Sequence, residues 1–182
     1  VGNCGFGVAP TRAHHREMIM RTLEKVEGMD VNALRSGLGE DWPFESFPEY
    51  LDAIDNLEPA INVGVLMGHT PLRTYIMGEE ATEREATDDE ITQMCGLLAD
   101  GINAGALGFA TSKASTHVGF EGRPVPSRVA SFHEINALCD VLGNLDKGII
   151  QATVGRGLFL DEFEQIATRT RRPITWTALL AG

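Results

Sequence analysis

From Ala60 onward, short apolar runs alternate with longer amphipathic stretches. Residues 60–67 are apolar except for Asn62 and Gly64, which predicts a buried strand ending at Gly68 and His69. Thr87 followed by Asp88, Asp89 and Glu90 supplies a helix cap with acid in the first turn. Behind it Ile91, Met94, Cys95, Leu97, Leu98 and Ile102 fall on one helical stripe, and Gly105 closes the helix. A second strand is predicted at 106–111. Ser131 and Glu134 then match the capping-box pattern, ahead of Ile135, Leu138, Cys139 and Leu142 at helical spacing. A strand over 148–154, a helix over 160–170 and a strand over 174–179 complete the series. This alternation predicts an α/β fold with a parallel sheet.

Upstream the pattern is less regular. Residues 16–26 and 49–57 read as helices, separated by an aromatic loop around Trp42, Pro43, Phe44, Phe47 and Pro48. The chain thus divides into 1–59, a strand end with helices and an ordered loop, and 60–182, alternating βα units. Three loops behind strand ends are rich in small and polar residues: 2–12, 68–78 and 112–128. In α/β barrels such ends build the active site.

Composition narrows the function. A chain of 182 residues with 43% hydrophobic content is enough for one core. Its net charge of −11 speaks against nucleic acid as a partner. The basic cluster at 169–172 reads as the cationic last turn of a helix. Cys4, Cys95 and Cys139 are an odd, scattered set without CxxC spacing, which points to a reducing, cytoplasmic setting. No apolar run approaches about 18 residues, so no membrane span is expected.

Candidate chemistry concentrates behind the strands. Val1 runs into Gly2-Asn3-Cys4-Gly5, as if a strand had been cut just before its end, and the glycines let the thiol stand there. Cys4 is either a zinc ligand or a small apolar residue in a turn; Cys95 and Cys139, on apolar helix faces, read as core. His69 is a candidate for substrate contact or proton transfer, against a turn-capping role. His117, near Lys113, Arg123 and Arg128, is a candidate to meet an anionic substrate group, against a solvated loop. His133 reads as surface. Gly155-Arg156-Gly157 lies where an anion site would, but neither GxGxxG, GxxxxGK[ST] nor GxSxG is present.

The blocks Val1 to Phe6, Gly68-His69-Thr70-Pro71-Leu72-Arg73 with Met77-Gly78, and Asp89-Glu90-Ile91 through Gly105 to Ser112 resemble the N-acyl-D-amino-acid deacylase (D-aminoacylase) branch of the amidohydrolase superfamily. The resemblance implies a zinc-dependent hydrolase on a (β/α)8 TIM barrel. This chain would form roughly strands 2 to 6, with a helical and loop insertion after the first of them. Cys4 would be the zinc-ligating cysteine at the end of the second barrel strand. The His-x-His pair of the first strand and a small β-domain would lie upstream, and the catalytic aspartate beyond Gly182, leaving no catalytic residue within these residues. In that mechanism zinc activates water for attack on the amide carbonyl, and a carboxylate passes the proton to the leaving amine. His69, Arg73, His117 and Arg128 remain as substrate-binding candidates for a small-molecule amide. The family's metal-binding histidines on the fifth and sixth strands are missing: Gln151 to Val154 and Thr175 to Ala178 contain none.

One thiolate cannot make a site that needs three or more ligands, so these 182 residues alone are expected to be inactive, with zinc a cofactor of the parent protein. Open strand edges are expected to favour self-association. Two alternatives stay open: Cys4 as a metal-free nucleophile with His69 as base, and a non-catalytic barrel relative that binds a small anion or a protein partner.

Overall fold

A computed structural model describes residues 1–39 and 41–177. Upstream, α1 (Arg16–Glu27) buries Ile19, Met20 and Leu23 on its apolar stripe. An additional helix, α2 (Val31–Leu38), follows where none was expected. Asp30 caps it by accepting from the Asn32 and Ala33 N–H groups, and its eight residues bury only Val31 and Leu34, too short a stripe to stand out. The helix expected at 49–57 is α3 (Phe47–Asp55), which starts earlier because Ser46 and Glu49 form a capping box around Pro48.

The core elements are β1 (Leu66–Gly68), α4 (His69–Met77), α5 (Asp88–Ala104), β2 (Gly108–Ser112), a short α6 (Pro126–Val129), α7 (Phe132–Leu145), β3 (Ile149–Thr153), α8 (Leu160–Thr170) and β4 (Ile174–Thr177). The strands lie in the order β1-β2-β3-β4, all parallel, with Met67, Phe109, Ile150 and Ile174 in register. This is the α/β fold with a parallel sheet that the alternation predicts.

Two expectations change. The strand at 60–67 contracts to Leu66–Gly68, with Ile61 and Val63 exposed. Leu66 donates to the Val1 carbonyl on one side and Leu107 to the Val65 carbonyl on the other, whereas residues 60–63 find no ladder among the described residues. The stretch expected as loop 68–78 is largely α4. The last strand is described to Thr177; Ala178 and the expected end at Leu179 lie outside the described residues.

The two sheet faces differ. Met67, Phe109, Ile150 and Trp176 face the helices. Gly101 lets α5 approach, since a Cβ there would lie 2.8 Å from Met67 Sδ. Phe163 of α8 meets Trp176 at 5.8 Å between ring centroids. Leu98, Phe109, Leu138 and Leu142 are fully buried, and each such side chain contributes about 1.5–3 kcal/mol. The other face carries the turn Asn3–Gly5, packed against β1, β2 and β3. The basic cluster does more than end a helix. Arg169 pairs with Asp140 at 2.7 Å, tying α8 to α7, and Arg172 reaches Asp146 at 2.7 Å. No helix among the described residues is long and apolar enough to cross a membrane.

Candidate functional site

A parallel sheet gathers its strand ends on one side, so Gly68, Ser112, Thr153 and Thr177 mark a common rim. The turn bearing Cys4 leans on this end. Gly2, Cys4 and Gly5 all have left-handed φ, of 93°, 59° and 77°. For a cysteine this conformation costs energy and must be held in place. The holder is Gln151: its Oε1 accepts from the Cys4 N–H at 2.6 Å, while its Nε2 donates to Thr177 Oγ1 at 3.3 Å. On β3, this carboxamide anchors the cysteine turn.

Beneath the helices lies a charged network with no water access. His69, Arg73 and Glu134 are all fully buried. Glu134 is a carboxylate, so His69 Nε2 donates to its Oε1 at 2.7 Å, and the Thr111 hydroxyl donates to Nδ1 at 2.8 Å. Arg73 Nη1 donates to Glu134 Oε2, and its Nη2 donates to the carbonyls of Ala81 at 3.2 Å and Arg84 at 2.8 Å. The structure thereby gives His69 and Arg73 a different task from the substrate contact expected of them. Their polar atoms face inward, and His69 is not available as a base for Cys4. Glu134 escaped the sequence reading because the capping-box pattern claimed it. Ser131 does accept its N–H at 3.1 Å, but the carboxylate turns into the interior instead of closing the box. The available signal was His69 and Arg73, four residues apart on one helix face and needing a shared acid.

Burial pushes the His69 pKa down and keeps the ring neutral. Burial alone would push Glu134 up, but the His69 hydrogen bond and the Arg73 charge hold it below the usual carboxylate range. Both folded pKa values are depressed, so the unfolded chain binds more protons and stability falls on acidification. The His69 share goes as pH drops below its ordinary 6.5, and the Glu134 share below 4.5. The unfolding free energy measured in urea is expected to fall between pH 8 and 5 through His69, by at most about 1.4 kcal/mol per pH unit. His69→Gln should flatten that profile; an unchanged slope would refute the assignment.

The 112–128 loop is tied down at several points. Ser112 Oγ lies 2.7 Å from His117 Nδ1, and Phe6 meets the His117 ring edge-on at 5.1 Å between centroids. Arg128 Nη1 donates to the His117 carbonyl at 3.0 Å. Lys113 Nζ donates to the carbonyls of Arg128 at 2.7 Å and Ala130 at 2.5 Å. Burial lowers the pKa of His117 and, with the Arg73 charge next, that of Lys113. His117 and Arg128 are therefore brought together at the rim, close to the turn that carries Cys4. A cleft of about 830 Å³ opens beside them, lined by Lys113, Arg128, Thr153, Arg156 and Thr177 among others. Of the expected core cysteines, Cys139 is buried with its pKa pushed by burial to about 12, and half-buried Cys95 is raised to about 11. His133 is exposed, as expected of a surface residue.

Among the described residues no three His, Cys, Asp or Glu side chains gather as a metal site. Zinc takes three or four protein donors. A cysteine such as Cys4 is of a donor type zinc accepts, and the described residues do not supply a complete set around it.

No family profile matches the chain. It is 31% identical over 110 residues to a D-aminoacylase of Alcaligenes xylosoxydans xylosoxydans, covering 60% of this chain and 20% of that protein. It is 36% identical over 110 residues to an N-acyl-D-aspartate deacylase of the same organism, covering 60% and 19%. The crystal structure of an N-acyl-D-glutamate deacylase from Bordetella bronchiseptica, complexed with zinc and a phosphonate that mimics the tetrahedral intermediate, superimposes with a TM-score of 0.64. There the identity is 27%, over 96% of this chain and 32% of that one. The chain therefore spans about a fifth of the length of these curated relatives. It resembles the N-acyl-D-amino-acid deacylases in both sequence and fold.

Proposed function

We propose that the whole protein is a zinc-dependent amidohydrolase that removes the acyl group from N-acyl amino acids, with this chain forming roughly strands 2 to 6 of a (β/α)8 barrel. The observation that carries this reading is the match of nearly the whole chain to a deacylase solved with zinc and an inhibitor. Cys4 is the donor this chain offers to zinc; the other donors lie outside the described residues. Gln151 sets the cysteine turn, and His117 and Arg128 face the substrate from the rim. The network of His69, Arg73 and Glu134 supports the loops behind them. The scattered cysteines suit a reducing, cytoplasmic setting. In isolation the chain is inactive, and the outer edge of β4 makes it prone to pair with another copy. The non-catalytic alternative has less support, because the relatives named above are deacylases.

The reading is tested by elemental analysis of the longest chain that contains this segment, alongside its Cys4→Ser variant. Stoichiometric zinc that falls with Cys4→Ser, together with release of acetate from N-acetyl-D-amino acids, is the expected result. No bound metal in either form after reconstitution would refute it, and so would amide hydrolysis by the 182 residues alone.

A further inference from the structure

Away from the rim, a cavity of about 280 Å³ lies between α1, α4, the turn Gly78–Thr82 and the loop that follows β2. Neither Cys4 nor the strand ends Gly68, Ser112, Thr153 and Thr177 line it. One wall is a small hairpin, in which Val118 and Pro124 bridge and the Gly119 N–H donates to the Arg123 carbonyl at 2.8 Å. The hairpin sits close on α1: a Cβ at Gly119 would lie 3.3 Å from Thr22 Cγ2 and 3.4 Å from Thr22 Oγ1. Met18, Phe120, Pro124 and Val125 give the cavity apolar walls. Its volume stands at the small end of sites for organic ligands.

The polar groups of the lining are short of donors. The Thr22 hydroxyl donates to the Met18 carbonyl at 2.8 Å and the Thr82 hydroxyl to the Glu79 carbonyl at 3.1 Å, so each has only lone pairs left. Glu79 and Glu121 are carboxylates and can only accept. Among the described residues that line the cavity, the one cation, Arg123, is committed: Nη1 donates to Glu83 at 3.2 Å and Nη2 lies 3.5 Å from Glu121. The Glu79 carboxylate has no ion pair or hydrogen bond among the described residues. It acts on the His15 ring, but burial lowers that pKa, with His14 and Arg12 adding to it, so the ring stays neutral. Thr74 is a second, independent feature. It is 2% exposed, lines the cavity and makes no side-chain hydrogen bond among the described residues, yet its Oγ1 is not sealed from water as that of Thr70 on the same helix is. The cavity is the opening through which this unpaired hydroxyl is reached. Unpaired polar groups in such buried residues call for a specific partner.

We infer that this cavity binds a small organic ammonium ion with an apolar body, the N–H groups donating to the Glu79 carboxylate and the threonine hydroxyls while the carbon body rests on Met18, Phe120 and Val125. An ammonium brings three donors and a positive charge, the two things the lining lacks. A carboxylate or phosphate would instead meet Glu79 and Glu121 with like charge, which is costly. The net charge of −11 on the chain adds a field that draws cations in. The inference does not rest on the deacylase reading and assigns a site apart from the strand ends.

The test is calorimetric titration of the full chain, at low salt and neutral pH, with phenethylamine and with phenethyl alcohol. The amine is protonated under these conditions, and the alcohol has the same apolar body without the charge. The amine should fill one saturable site and bind roughly tenfold or more tighter than the alcohol, as one charge-assisted contact implies. Glu79→Gln should cut the amine affinity roughly tenfold. Glu164→Gln removes the same charge from the exposed side of α8 and should leave the affinity unchanged. Thr74→Val keeps the shape of the side chain without its hydroxyl, and should weaken amine binding several-fold with the circular dichroism spectrum unchanged. Equal affinity for amine and alcohol, no saturable binding of either, or equal losses in Glu79→Gln and Glu164→Gln would each overturn the inference. None of these measurements reads zinc or turnover, so the hydrolase reading stands or falls separately, on metal and amidase activity in the longer chain.

Discussion

Glu134→Gln is expected to destabilise the chain by about 3–5 kcal/mol, the usual result of removing one partner from a buried ion pair. The amide has nearly the shape of the carboxylate, so packing loss is not the cause. Arg73 is fully buried and, among the described residues, has no other anion within hydrogen-bond reach; its remaining partners are the neutral carbonyls of Ala81 and Arg84. The amide also brings a donor to a place where both neighbours, Arg73 and His69, already donate. Desolvated charge left unpaired is the main cost. A double variant, Arg73→Met with Glu134→Met, removes both charges and should recover part of the loss, though the two carbonyls then lose their donor. Urea unfolding followed by circular dichroism compares the three proteins. A Glu134→Gln change below about 1 kcal/mol would place the ion pair among weak, solvent-screened ones and refute the assignment. Because His69 also binds Thr111, next to Ser112, this network is the part of the helix layer that reaches the rim.

Gly5→Ala is expected to cost about 2–4 kcal/mol, from left-handed strain and overpacking together. Gly5 has φ 77°, and a Cβ there would lie 2.9 Å from the Thr111 Cα and 3.0 Å from the Ala110 carbonyl oxygen. Neither atom belongs to a side chain that can swing aside, so the turn itself must lift from β2. That movement breaks the hydrogen bond from Cys4 to Gln151. Gly28→Ala is the matched control. It also has a left-handed φ, of 66°, but among the described residues no atom beyond its chain neighbours lies within 4 Å of its Cβ position, so only the conformational cost of about 1–2 kcal/mol applies. Unfolding curves give the two energies, and exchange of the Cys4 amide proton reports whether the turn has moved. Equal costs for the two variants would show that the turn does not press on the sheet.

The helices were readable wherever the signal was local. Residues 160–170 were expected as a helix, and α8 spans Leu160–Thr170, because Phe163 and Ile166 repeat at helical spacing within a few residues of each other. Thr87 and Glu90 announced the start of α5 for the same reason, as a contact three residues long. α2 is too short to carry such a signal, because its two buried residues, Val31 and Leu34, make no pattern. The apolar run at 60–67 measured how much the chain could bury, not which residues would find a neighbouring strand.

The candidate site divides along the same line. The cluster of glycines around Cys4, the polar loops behind the strands and the helix-face spacing of His69 and Arg73 are short-range facts, present in the order of residues. Their partners are not. Glu134 lies 65 residues from His69, Gln151 lies 147 residues from Cys4, and a capping motif can announce the backbone position of an acid without saying where its carboxylate points. Those pairings exist because the parallel register brings Gly68, Ala110 and Gln151 side by side and sets the helices behind them. Local periodicity and caps decided which elements form; sheet register and burial decided which polar groups meet, because only they bring distant residues within the length of a hydrogen bond.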